Sequence, residues 1–275
     1  MKVFCILSDE RAVQLKSPTM FSRVLKRQGI NGTYVPFSVK PQDLGQAIQS
    51  IRTLHMAGAN ITVPYKEAVL PWLDGLSEGA NIIGAVNTIV RDGDNLKGYN
   101  TNAIGFMEAL NEAGFEVDGK AALVFGTGGA ARAVVFILNW LRASTIYVAG
   151  RQMEKIDSII DAFGGEPLEI SSLFNRSLPV DIVVNATSVS SSDDSSEMAD
   201  LVSRLDIPGC QLVFDLNYGR QKNFWKDLAH SKAIRFMDGL PALAYQARRT
   251  FALWTGLQVP PEEFLKALNE NGGTR

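Results

Sequence analysis

The chain has 275 residues, 46% hydrophobic and 20% charged, with a formal net charge of −2, so it is long enough for two modest domains or one large one and needs no disulfide or metal staples. That near-neutral balance gives no reason to expect nucleic acid or a membrane surface as partner. Cys5 and Cys210 lack CxxC spacing, His55 and His230 lie in no metal-ligand pattern, and no segment approaches the ~20 apolar residues of a membrane helix, so a metal-free cytoplasmic protein is expected.

Residues 3–8 read as a strand. Ser17 and Pro18 then open a helix, Ser17 as its cap and Pro18 at its first position, with Met20, Phe21, Val24 and Leu25 as an apolar stripe and Gly29 as its end. Residues 34–39 form a second strand, and Leu44, Ile48, Ile51 and Leu54 mark an amphipathic helix over 41–57. A third strand over 58–62 completes a β-α-β-α-β order, which implies a parallel, right-handed arrangement. Residues 63–67 start another helix with proline near its first turn. Residues 85–91 and 95–101 form a hairpin about Asp92-Gly93, and 102–113 form a helix ended by Gly114. A domain junction is placed near residue 102.

Residues 121–151 read AALVFGTGGAARAVVFILNWLRASTIYVAGR. An apolar run over 121–125 meets Gly126-Thr127-Gly128-Gly129-Ala130-Ala131, and a helix-period segment and a β-rich run over 145–149 follow: a βαβ unit with a GxGxxA turn. The first glycine permits the tight turn and the second lets backbone N–H groups approach a pyrophosphate. The small Ala131 lets helix pack on strand, and the anion sits at the helix N-terminus. A site preferring NAD offers an acid about 20 residues beyond these glycines. Here Gly150-Arg151-Gln152 stands instead, with Lys155 one turn on and no acid before Glu154. Guanidinium and ammonium groups suit a 2′-phosphate, so NADP is expected over NAD, although Lys155 reads equally as a solvated charge at a helix start.

The pattern continues with a helix over 155–163, strands over 167–170, 180–186 and 211–216, and a low-complexity serine-acidic stretch over 188–196 expected to be a mobile loop. A helix over 240–253 follows the nucleotide unit and is expected to pack back on the first domain. The fold class is therefore α/β with two domains: 1–102 plus 240–275 for a substrate, 103–239 for a dinucleotide. Polar residues at the ends of predicted strands, where open α/β sheets bind ligands, are Ser17, Thr62, Lys66, Asn87, Thr101 and Asn102. Ser17 and Asn102 read equally as helix caps, and Asn87 as a local backbone contact. Lys66 on a first helical turn opposes the helix dipole at a cost of about a few tenths of a kcal/mol, which asks for a functional reason.

The ordered motifs KSPTMF (16–21), GANITVPYKE (58–67), GAVNT (84–88), GYNTNAIGF (98–106), GTGGAA, VVNATS (183–188), DLNYG (215–219) and DGLPALAYQA (238–247) resemble those of the shikimate dehydrogenases, including quinate/shikimate and aminoshikimate relatives, over nearly the whole chain. The resemblance implies a Rossmann-type NADP-binding domain and reversible hydride transfer on a cyclic hydroxy acid, within aromatic amino acid biosynthesis, by a monomer or homodimer. It matches Lys66 to the catalytic lysine and Asn102 to the position of the catalytic aspartate. Thr62, Asn87, Ser17, Tyr218 and Gln246 match substrate contacts, with Thr101 beside them. The glycine turn, Arg151, Thr187 and Gly239 match cofactor contacts.

Three departures stand out. A pair of serines for the substrate carboxylate is reduced to Leu15 and Ser17, Val189 and the serine-acidic stretch replace small residues after NATS, and the aspartate is Asn102. An amide has no useful proton affinity, so acid–base work falls to Lys66; losing one positioned acid–base partner typically costs about 10²- to 10⁴-fold. Asn102 marks either a paralogue acting on quinate, aminoshikimate or another cyclic alcohol, or a replacement that traps the bound state. A nucleotide-binding protein without turnover is the non-enzymatic alternative.

Overall fold

Among the residues described by the computed structural model, 1–269, the apolar runs are sorted into two six-stranded sheets; residues 270–275, the tail of the expected 240–275 segment, lie outside the described residues. Each sheet belongs to its own compact unit, one formed by residues 1–105 with the chain from 243 onward, the other by 106–242.

In the first unit, β1 (Lys2–Ser8), α1 (Ser17–Arg27), β2 (Gly32–Ser38), α2 (Leu44–Thr53) and β3 (Gly58–Ile61) keep the expected alternation, and β1 pairs in parallel with both neighbours. The sheet then becomes mixed. With β4 (Gly75–Leu76), α3 (Glu78–Ile83), β5 (Thr88–Asp92) and β6 (Asn95–Tyr99), its order is β2-β1-β3-β5-β6-β4, with β5 antiparallel to β3 and β6. The parallel expectation therefore holds for the first three strands only. Antiparallel pairing on both sides of β5 brings the carboxyl ends of β3 and β6 and the start of β5 to one edge. The hairpin loop is Gly93-Asp94, closed by the Asp92–Asn95 pair, because Gly93 takes the left-handed φ of 60°. After Tyr99, α4 (Thr101–Glu112) carries the chain into the second unit.

There β7 (Ala121–Phe125), α5 (Gly129–Trp140), β8 (Thr145–Gly150), α6 (Met153–Phe163), β9 (Glu166–Glu169), β10 (Ile182–Asn185), α7 (Ser196–Ser203), β11 (Leu212–Asp215), α8 (Phe224–Ser231) and β12 (Arg235–Met237) build an all-parallel sheet of order β12-β11-β10-β7-β8-β9. β7, β10 and β11 are buried along most of their length, as strands covered on both faces must be. The order reverses between β7 and β10. This is the doubly wound, Rossmann-type arrangement, whose ligand crevice opens at the carboxyl ends of the strands at that reversal.

Four expectations are corrected. Residues 63–67 start no helix: separate turns run to a 3₁₀ turn at Leu70–Trp72. Tyr65 and Val69 are both drawn into the core, and Pro71 has no N–H to continue a helical ladder. The dipole argument for Lys66 therefore falls away. Ser17 is the first residue of α1, not its cap; Lys16 precedes it with helical backbone angles and no capping bond. Asn102 lies inside α4, because Asn100 Oδ1 already accepts the Ala103 N–H at 3.1 Å. The serine-acidic stretch is tied down: Ser190 and Ser191 are buried, Asp194 accepts both their amides at 3.1 Å, and Ser195 caps α7.

α9 (Leu240–Thr255) and α10 (Pro261–Asn269) return to the first sheet, as expected of the C-terminal helix. Trp254 stacks on Phe4 with ring centroids 4.7 Å apart, and its indole N–H donates to Ile89 O at 2.9 Å. Phe21 and Phe251 each meet Phe264 at 5.9 Å. β3 admits this only through Gly58, where any Cβ would run into the Trp254 indole. Gly58→Ala is accordingly expected to cost about 1–3 kcal/mol of stability, read as a lower denaturant midpoint at unchanged m-value.

Candidate active site

The edge of the first sheet where β3 and β6 end and β5 begins is organised by one carboxamide. Asn87 is buried, and its Oδ1 accepts the Thr101 backbone N–H at 2.6 Å. Its Nδ2 lies 2.8 Å from Thr101 Oγ1, 2.9 Å from Asn102 Oδ1 and 2.9 Å from Gln246 Oε1. Beneath it the hydroxyls of Thr88, Thr101 and Thr250 bond one another at 2.9–3.1 Å. Asn60 Nδ2 donates to Asn87 O at 2.9 Å and is held by Tyr34, whose hydroxyl donates to Asn60 Oδ1 at 2.8 Å.

Of the residues singled out in the sequence, Asn87, Thr101, Asn102 and Gln246 are thus brought into direct contact. Thr101 is fully buried with its hydroxyl spent on this network, so it supports the site from below. Lys66 joins the same edge through its backbone, Val86 N–H donating to Lys66 O at 2.8 Å, one residue before Asn87. Its side chain is half-buried without an ion pair among the described residues, and loss of water around the ammonium pulls its pKa down to about 8. Thr62 is half-buried immediately after β3, and Ser17 is buried at the start of α1. Tyr218 belongs to the second unit, after β11, where burial pushes its hydroxyl pKa up.

The second unit builds its own crevice. Gly126, at φ 120°, turns the chain out of β7 so closely that a Cβ would sit 3.1 Å from the Ala186 carbonyl just beyond β10. Ala131 is fully buried where α5 meets the sheet. Gly128 differs from both. Its φ is −93°, and a Cβ there would meet nothing within 4 Å, so neither conformation nor packing requires glycine. It precedes α5 without a side-chain cap, so the amides of the first turn, from Gly129 and Ala130 on, have no side chain to receive them. This chain thus fits a pyrophosphate laid against the turn. Arg151 and Lys155 are exposed after β8, and residues Gln152 to Lys155 line a shallow hollow there.

The sequence reading missed the centre of this second site. Asp215, fully buried, accepts Asn185 Nδ2 at 2.8 Å, the Asn217 N–H at 3.0 Å, Ser190 Oγ at 2.7 Å and Asn223 Nδ2 at 2.7 Å. Thr187 Oγ1 donates to Asn185 Oδ1 at 2.7 Å, and Gly239 N–H donates to Asn217 O at 3.0 Å. A Cβ on Gly239 would strike the Leu216 carbonyl, which gives that glycine a packing reason of its own. The available signal was an acid closing an apolar strand, Asp215 after Leu212 to Phe214.

Residues 11–89 match the family described as Shikimate dehydrogenase substrate binding domain, and residues 108–223 match Shikimate / quinate 5-dehydrogenase. The Shikimate dehydrogenase (NADP(+)) of Desulforamulus reducens is 38% identical, covering 92% of this chain and 90% of its own length. Among solved structures, the shikimate dehydrogenase of Aquifex aeolicus is 29% identical with a TM-score of 0.86, and the Thermus thermophilus enzyme in complex with NADP(H) and shikimate is 32% identical with a TM-score of 0.84. Each alignment covers 98% of both chains.

Truncating the buried carboxylate strands its donors away from water. Asp215→Ala is therefore expected to destabilise the protein by about 3 kcal/mol or more, measured by chemical denaturation, whereas Glu154→Ala on the exposed start of α6 should stay within about 0.5 kcal/mol.

Proposed function

We propose that this chain, which belongs to the shikimate dehydrogenase family, is an NADP-dependent oxidoreductase that interconverts 3-dehydroshikimate and shikimate or a close cyclic hydroxy acid. The observation that carries the reading is Lys66: an ammonium with lowered proton affinity, joined through Val86 to the Asn87 carboxamide cluster. Residues 1–102 with the chain from 240 onward form the substrate half and 103–239 the nucleotide half, a division supported by where the two family descriptions fall.

NADP, when bound, supplies the hydride chemistry, and the protein contributes orientation and proton handling. Lys66 gives its proton to the oxygen of the reacting ring carbon during reduction and takes it back during oxidation. A pKa of about 8 keeps both forms populated near neutral pH. Asn102 orients that oxygen without exchanging a proton. Ser17, Thr62, Asn87 and Gln246 place the ring, with Thr101 bracing Asn87 from below. The open space over Gly128 and the first amides of α5 take the pyrophosphate. Arg151 and Lys155 take the 2′-phosphate, and Thr187 and Gly239 shape the far wall of the crevice. Cys5 and Cys210 are both free thiols, which suits a reducing cytoplasm.

A second reading changes the substrate. Leu15 replaces one of two hydroxyls expected at the substrate carboxylate, which favours a related cyclic or amino-substituted alcohol. Comparing kcat/KM for shikimate, quinate and an amino analogue separates the two, since a clear shikimate preference removes the alternative.

Lys66→Met is expected to lower kcat by about 10²- to 10⁴-fold with nucleotide affinity retained. Because the protonated amine serves reduction and the neutral amine oxidation, kcat/KM for reduction should fall as pH rises through about 8, and that for oxidation should rise through the same value. Full activity in Lys66→Met, or profiles flat across that range, would refute the assignment. At the nucleotide, Gly128→Ala should leave the melting temperature unchanged and weaken NADP(H) binding by calorimetry. Arg151→Ala should weaken NADP about tenfold or more and leave NAD unaffected, that factor being the worth of one charge-assisted contact.

A further inference from the structure

The orientation of Asn102 follows from a donor that has no alternative. The Thr101 backbone N–H lies 2.6 Å from one terminal atom of Asn87. A backbone N–H only donates, so that atom is the Asn87 oxygen and its amino group faces the other way. This amino group has two N–H bonds and three close neighbours, Thr101 Oγ1 at 2.8 Å and one terminal atom each of Asn102 and Gln246 at 2.9 Å; an NH₂ turned toward it would set donor against donor, so Asn102 and Gln246 both present their oxygens. Asn102 and Gln246 therefore turn their own NH₂ groups away from Asn87. Neither NH₂ has a hydrogen-bond partner among the described residues, and both side chains are half-buried rather than enclosed.

We infer that Asn102 donates a hydrogen bond to the reacting oxygen of the substrate, and that the site thereby selects the ketone over the corresponding alcohol. The inference rests on the substrate reading above. A ketone oxygen only accepts, and it can receive the Asn102 NH₂ and the Lys66 ammonium together. An alcohol brings a proton of its own. Facing two donors, that O–H finds no acceptor, and an unmade bond of this kind typically weakens binding about tenfold or more. A carboxylate at position 102 reverses the preference, because it accepts from the hydroxyl and repels the ketone oxygen. Asn102 is thus a specificity residue that turns the site toward ketone capture, not simply a weakened version of an acid.

Calorimetry without nucleotide tests this at about pH 6.5, below the Lys66 midpoint of about 8, so that the amine is charged. The ligands are 3-dehydroshikimate and shikimate. The unaltered protein should bind the ketone about tenfold or more tighter than the alcohol. Asn102→Asp should bring the alcohol level with the ketone or ahead of it, and Asn102→Ala, which offers neither donor nor acceptor, should pull the ratio toward unity. Equal affinities in the unaltered protein, or a ketone preference that survives Asn102→Asp, would overturn the inference while leaving the substrate reading intact. If the unaltered protein binds neither ligand, the substrate reading fails and the inference falls with it.

Discussion

The first unit depends on a single backbone N–H. Thr101 presents its amide to Asn87 at the start of α4, and this bond decides which way the Asn87 carboxamide points. Asn87 leads into β5, Asn102 sits in the first turn of α4 and Gln246 lies on α9, so one side chain ties together three elements distant in sequence. The threonine hydroxyls below hold it from underneath, and Asn60, itself held by Tyr34, fixes its backbone. Nothing in this stack is charged. The site's polarity is therefore set by hydrogen-bond direction, and Lys66 brings the titratable group to it.

The second unit solves a similar problem differently. Its loops after β10 and β11 are gathered by a buried carboxylate that meets amide and hydroxyl donors rather than a cation. Amide and hydroxyl donors stand in for the water that Asp215 gave up. In the first unit an uncharged hub holds the groups that would touch a substrate. In the second an acidic hub lies below the backbone that would face a nucleotide, and in both the hub itself is buried.

Much of this was legible in the letters. The apolar runs of β7 and β8 around GTGGAA, the stripe of α1 and the i, i+4, i+7 spacing of α2 each report one buried face, and burial is what fixes a helix or strand. Where the signal was local and polar, reading failed. Asn100, Thr101 and Asn102 are all plausible caps by composition, and only the Ala103 amide, taken by Asn100, shows which of them is free for other work. The order of the serine-acidic stretch was hidden because, beside the local bonds of Asp194, it comes from Asp215 and Arg220, which lie outside any short window. Residues 63–67 carried a helix-like proline, yet Tyr65 and Val69 follow the wall of the core instead. Asn60, Thr88 and Thr250 drew no notice because hydroxyls and amides in apolar runs carry no periodic mark.

The glycine that ends β8 is bound by volume to the turn beside it. A Cβ on Gly150 would sit 2.6 Å from Thr127 Cγ2 and 3.3 Å from Ile156. The methyl of the threonine inside the glycine turn occupies the volume that a side chain at 150 would need. The two positions are therefore coupled: a larger residue ahead of Arg151 requires a smaller one after Gly126, and only the loss of the threonine methyl can come first without a clash. As long as Thr127 keeps its methyl, the tip of β8 is held to glycine, and the chain ahead of Arg151 stays bare backbone.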